Sequence, residues 1–582
     1  MPTRVTPPSS SRASELFSAH VRAGRMTPRL CLLAIVGCLL YSSSAAAHQP
    51  GSTTTGAHAD SPATLVPGMG SLRHPVSTAN VQAQRFFDQG LTYVYAFNHG
   101  EAVRSFERAA QLDPQMAMAY WGIALALGSN INSEVDAERE KAAYDAVRKA
   151  GTLAARGPEH ERLYIAALSR RYAPPASDGR PPRDRAALDL AYRDAMAELV
   201  RRYPDDLDAA TLYAEAAMVL RPWRLWTADG KPEDGTLEIV AGLESVLRRD
   251  PNHIGAIHYY IHAVEASPHP ERALAAAQRL PALVPAAGHL VHMPSHIYER
   301  IGDYAAAARS NREAAQADEA FVRARGLETD AAFMYGSHNV HFEAVAWSMA
   351  GSFTDALAAA GKLEQRAAPQ VKTMPVAEIL LPTSALILVR FRRWEEALRL
   401  PRPDPALPGA TAYWHFARGL ALAAAGDVAG AEREHASFLA AQQRITEEMA
   451  SAGGTMTASV RRVADHVMRA GIARARRDAK SEIEILRAAV DIEDSIPYDE
   501  PPSWYLPTRE ALGGALLRSG QSAAAEAVFR ADLERNRRNG RSLFGLARAL
   551  AAQGRSHEAA LVQREFEIAW RHADTPLRLE DL

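Results

Sequence analysis

The sequence predicts an all-α chain wound as a right-handed superhelical solenoid of paired helices, and three observations carry that prediction. From about Val81 onward Ala, Leu, Arg and Glu recur with the 3.6-residue period of amphipathic helices, and β-branched runs are few. Small residues return at a fixed interval, Ala273 and Ala307 standing 34 positions apart. At 582 residues the chain is also too long for one simple core, which leaves several domains or a repeat array.

Ahead of the repeats lies a leader. Leu30 to Tyr41 is apolar but too short to span a bilayer comfortably. Arginines precede it and Ser44-Ala45-Ala46-Ala47 follows as a small-residue cleavage site. Residues 1–47 therefore read as a signal peptide, with Met26 as an alternative start; a membrane anchor or buried helix is the competing reading. Cleavage near Ala47 implies a periplasmic or secreted protein with no membrane span after processing. Ile35-Val36-Gly37-Cys38 fits a lipoprotein pattern loosely, so anchoring through Cys38 is the minor alternative. Cys31 and Cys38 are the only cysteines and would leave with the leader, so no thiol remains for a disulfide or a metal. Residues 48–76, rich in Ser, Thr, Gly, Ala and Pro, read as a flexible linker. His48, the new amino terminus, could chelate copper, but it sits on that tether.

The first clear repeat carries Gly90, Tyr93, Ala102, Phe106, Ala109 and Pro114 at positions 8, 11, 20, 24, 27 and 32 of a 34-residue unit. This resembles a tetratricopeptide repeat (TPR), a helix–turn–helix unit with small residues where its helices cross. Weaker units fill 117–215, giving an N-terminal block over 77–235. A histidine-bearing block covers 236–365 and further repeats cover 366–582. Ala307 to Ala356 spans 49 residues, which implies an insertion of about half a repeat. Proline forces two segments out of helix, Arg221 to Trp226 and Ser495 to Tyr505. They are either packing loops between repeats or walls over the concave face.

Nine histidines crowd the segment from Asn252 to His341. His258 and His262 are four apart with Glu265 three further on; His289, His292 and His296 run in steps of three and four; His338 and His341 are three apart. Such steps place side chains on one helix face. The TPR resemblance implies more: His258, His262 and Glu265 fall at positions 5, 9 and 12 of a first helix, His289, His292 and His296 at 2, 5 and 9 of the next, and His338 and His341 at 2 and 5 of the third. In that family these positions line the concave groove. Neighbouring first helices would then bring the position-5 residues His258, His292 and His341 together. Imidazoles without thiols suit zinc, copper or iron, so all seven stripe histidines are candidate ligands. Glu265 is a further ligand or a general base on metal-bound water, and Arg300 a holder of an anionic substrate. Pro294 would kink the second helix or sit in its first turn, which weakens the facing of His289. His253 and His269 lie off the stripe as structural residues, and His99 reads as a cap at an inter-helix turn.

Several stretches together, Tyr95 to Ala102, Ala119 to Gly122, His258 to Glu265, His292 to Tyr298, His338 to Phe342 and Tyr498 to Pro502, are similar to a broad group of exported bacterial TPR proteins. The resemblance implies the fold and carries no established activity. Lys+Arg 66 against Asp+Glu 68 gives a net charge of −2, which offers nothing to a nucleic acid. Glycine-rich phosphate loops, GxSxG and HExxH are absent from the sequence. Two readings of function follow. One is a metal site in the groove, including a hydrolytic or oxidative metalloenzyme acting on a small-molecule or peptide ligand. The other is a non-enzymatic scaffold that binds a peptide or protein partner.

Overall fold

The computed structural model describes residues 63–174, 184–326, 328–451 and 453–582. The leader, both cysteines and His48 lie outside the described residues. The described chain is a right-handed TPR-like α-solenoid, and among the described residues there is no strand, only two isolated bridges. The first repeat pairs Val81–Tyr95 with His99–Leu112. Asn80 caps the first helix through the amides of Gln82 and Ala83, and Asn98 caps the second through that of Glu101. Asn98, not His99, is thus the cap; His99 begins the helix and its Nε2 lies 3.2 Å from Asn130 Nδ2. Phe106 explains the small residues of the motif. A Cβ on Gly90 or Gly122 would sit 2.7 or 2.4 Å from its ring, so only glycine lets the two neighbouring helices close on it.

The 49-residue interval is absorbed by two long helices, Tyr304–Arg325 and Asp330–Ala350, of 22 and 21 residues. The superhelix also closes on itself. Tyr304 donates its hydroxyl to the Arg537 carbonyl at 2.9 Å, and Arg537 reaches back to Glu271 at 3.0 Å. Asp574 accepts from the amides of Phe353 and Thr354 at 2.8 Å each. Ser495 to Tyr505 folds inward, burying Trp504 and Tyr505. His258 and His292 are 0% exposed and His296 1%, so these three are enclosed, while His338 and His341 stay partly exposed. Among the described residues no helix is long and apolar enough to cross a membrane.

Candidate metal centre

The histidines form two triads. In the first, His258 and His262 extend from one turn to the next of helix Ile254–Val264, and their Nε2 atoms are 3.1 Å apart. His289 joins them from Gly288–His292, its Nε2 3.1 Å from that of His258. In the second triad His292 and His296 bring Nε2 atoms within 2.7 Å, and His338 of Asp330–Ala350 reaches His292 at 3.3 Å. Within each triad the three ligand nitrogens all lie within 4.8 Å of one another.

Pro294 makes the split. It has no amide hydrogen for the Leu290 carbonyl, and the stripe divides at Met293 into Gly288–His292 and Pro294–Ile301. His289 turns to the first triad while His292 and His296 build the second, so the interruption directs His289 instead of weakening it. The register expectation fails at His341. His338 and Phe342 share the face that meets the second triad, which turns His341 aside against Tyr505 at 5.6 Å, its Nε2 buried without a hydrogen bond. Position-2 residues, His289 and His338, complete the triads where position 5 was expected to.

The hydrogen bonds behind the rings fix which nitrogen carries the proton. A carbonyl oxygen only accepts, so His258 Nδ1 donates to Tyr95 O at 2.6 Å. Asn311 gives its Nδ2 to the Ala307 carbonyl and so turns Oδ1 to His292 Nδ1, 2.6 Å away. Glu265 accepts from His262 Nδ1 at 2.8 Å through one carboxylate oxygen and from His296 Nδ1 through the other. Those two imidazoles hold the Glu265 carboxyl below the usual range against the opposing effect of its burial. Burial pushes His258 and His289 well below their ordinary value and lowers His262 as well. The Nδ1 hydrogen bonds of His258, His262, His292 and His296 thus turn Nε2 of each toward its pair partner, whereas Nδ1 of His289 has no partner to fix its tautomer. Where both Nδ1 atoms carry the hydrogen, in His258–His262 at 3.1 Å and His292–His296 at 2.7 Å, the facing lone pairs repel unless a cation, a metal ion or a proton, lies between them. A tetrahedral ion with bonds of about 2.0–2.1 Å to nitrogen has N···N edges of about 3.3–3.4 Å, close to what each triad offers.

Each triad is covered by one phenylalanine. Phe97 lies 4.5, 6.0 and 5.6 Å from the rings of His258, His262 and His289. Phe342 lies 5.6, 5.8 and 6.1 Å from those of His292, His296 and His338. Phe97 adopts the left-handed backbone, φ 54°, as does Trp223, φ 59°, whose ring meets His262 edge-on at 5.3 Å. Two non-glycine residues in that region against one cluster mark local strain retained for a purpose.

The remaining candidates are placed as follows. Glu265 stands behind the imidazoles, both oxygens engaged, and not among the converging Nε2 atoms. Arg300 donates Nε to the Glu265 carbonyl at 2.9 Å and lies over the Tyr498 ring at 5.6 Å, directed at a helix end. Tyr498 in turn reaches Glu265 at 3.3 Å and also bonds Glu500, so the acidic, proline-punctuated loop forms a wall of the site. His253 caps Ile254–Val264, accepting from the Ala256 amide, and His269 is exposed beside Glu271. Sequence reasoning missed Tyr95 O, Asn311, Phe97 and Phe342 as parts of the site. It also passed over His74 and His160, which with Asp206 and Asp208 form a separate polar cluster. There the carboxylates already accept from His74, His160, Tyr95 and Tyr164 at 2.6–2.8 Å.

No family model matches the chain, and no curated protein matches it. Solved structures do. Yeast Tom70 is 10% identical, with 84% of this chain and 90% of that one covered and a TM-score of 0.27. The Cut9–Hcn1 hetero-tetramer of the APC/C is 11% identical over 85% and 89%, TM-score 0.28. The human IFIT1 dimer with m7Gppp-AAAA is 12% identical over 85% and 91%, TM-score 0.28.

Proposed function

We propose that the chain is an exported metalloprotein holding two transition-metal ions, one in each histidine triad, with Glu265 as the carboxylate common to both. The observation that carries this is the convergence of Nε2 atoms at 2.7–3.3 Å in two largely buried sets, with Nδ1 hydrogen bonds fixing the tautomer of His258, His262, His292 and His296. Neutral nitrogen donors favour zinc, copper or iron and disfavour magnesium or calcium, which take oxygen ligands. Three histidines leave a coordination position open, as in catalytic rather than structural sites. The apolar leader from Leu30 to Tyr41 supports export to the periplasm or beyond, and the partition at 47, 76, 235 and 365 follows the repeat blocks. The fold is equally that of a protein-binding scaffold, and metal content separates the two readings.

The test is the metal content of untagged protein, as purified and after reconstitution with zinc, copper(II) or iron(II). Two ions per chain are expected, falling to one in His258→Ala and to one in His296→Ala, with circular dichroism unchanged. No bound metal above background after reconstitution overturns the proposal.

A further inference from the structure

Two pockets border the triads. One lies under Trp223 and Tyr498 beside His262; the other is roomier and has His338 of the second triad in its wall. The walls of this second pocket are apolar at Met334, Leu380 and Pro501, and its other polar groups include His341 and Glu500. Two buried atoms here have no hydrogen-bond partner, Nε2 of His341 and Oε2 of Glu500, the latter residue only 4% exposed. A buried polar atom left alone costs about 1–3 kcal/mol, so two on side chains that line one pocket mark a place where something else supplies the bonds. The neighbouring Asp499 offers nothing further, since its oxygens accept from the Ser503 hydroxyl and the Glu500 amide.

Building on the metal reading above, we infer that this pocket is a ligand site for a small uncharged hydroxyl compound, an alcohol or a phenol, held beside the second triad. The chemistry selects it by elimination. An anion finds two acidic side chains and no Lys or Arg in the lining. An ammonium faces the positive ion behind His338 and can only donate. A hydroxyl donates once and accepts as well, so it completes an imidazole nitrogen and a carboxyl oxygen whichever of the two carries a hydrogen. Apolar walls with a few placed polar groups are the usual build of such a site.

The test uses the full exported chain reconstituted with cobalt(II), titrated with phenol or cyclohexanol and, for comparison, benzoate or benzylammonium. Calorimetry reads binding and visible absorption reads the cobalt environment. Phenol or cyclohexanol should saturate at one per chain and shift the cobalt spectrum, with the charged compounds at least about tenfold weaker. His341→Ala and Glu500→Gln should each weaken binding about tenfold, the equivalent of one hydrogen bond, with cobalt content unchanged. A preference for phenol assigns the aromatic source, one for cyclohexanol the aliphatic. Two bound cobalts without hydroxyl binding, equal binding of benzoate or benzylammonium, or wild-type affinity in both variants overturns this inference alone. Absence of bound cobalt overturns the metal reading instead.

Discussion

Glu265 places one carboxylate oxygen on Nδ1 of His262 and the other on Nδ1 of His296, so a single side chain sets the tautomer in both triads. In glutamine one of these oxygens becomes an NH2, a donor facing a donor. Either His262 or His296 must then flip its tautomer or its ring, and its Nε2 no longer presents a lone pair. Loss of such orienting partners typically costs about 10–100-fold in metal affinity. Glu265→Gln is therefore expected to weaken at least one ion by that factor although every ligand nitrogen remains, read by competition with a chromogenic chelator. Two ions held with wild-type affinity would remove Glu265 from the orienting role. The sequence could show Glu265 near His262, three residues away on one helix. Its reach to His296, 31 residues on, depends on how two repeats pack and has no signature in spacing. The same holds for Tyr95 O, a backbone atom with no side-chain identity to read, and for Asn311.

At the scale of elements, helical stripes were legible because steps of three and four are a property of one helix. The division into two triads was not. It arises from Pro294, from the added turns in Tyr304–Arg325 and Asp330–Ala350, and from the loops that carry Phe97 and Trp223. The long helices change the phase at which the third stripe arrives, which brings His338 in and turns His341 to Tyr505. The repeat motif itself was read correctly because its small residues answer to one bulky partner, Phe106, within a single unit and its neighbour. Pro294→Ala tests the role of the interruption. Restoring an amide for the Leu290 carbonyl should raise the thermal midpoint slightly, by about the 0.5–1.5 kcal/mol of one hydrogen bond, since Pro294 opens its helix and a first-turn proline itself costs little. A continuous helix would draw His289 back into line with His292 and His296, so the first ion should be lost before the second in chelator titrations. Equal release of both ions from a stabilised variant would show that the interruption does not position His289.

At the scale of the molecule, the solenoid is held in its closed form by contacts between repeats more than two hundred residues apart, and Tyr498 reaches Glu265 across the same closure. The closest approach is at Gly302, φ 78°, where a Cβ would stand 2.0 Å from the Arg537 carbonyl oxygen. Gly426, φ 83°, ends another helix in the same conformation and before the same following residue, Asp427, but a Cβ there would meet nothing within 4 Å. Alanine at either position carries the left-handed cost of about 1–2 kcal/mol, but only at Gly302 does it also push against the C-terminal repeats. Gly302→Ala should therefore lower the thermal midpoint more than Gly426→Ala. It should also raise the radius of gyration by small-angle scattering while helix content is kept. Because the wall formed by Tyr498 would withdraw with those repeats, the Gly302 variant should in addition release its metal faster to a chelator. If the two variants match in midpoint, size and release rate, closure contributes nothing to the centre, and the histidine repeats hold it unaided.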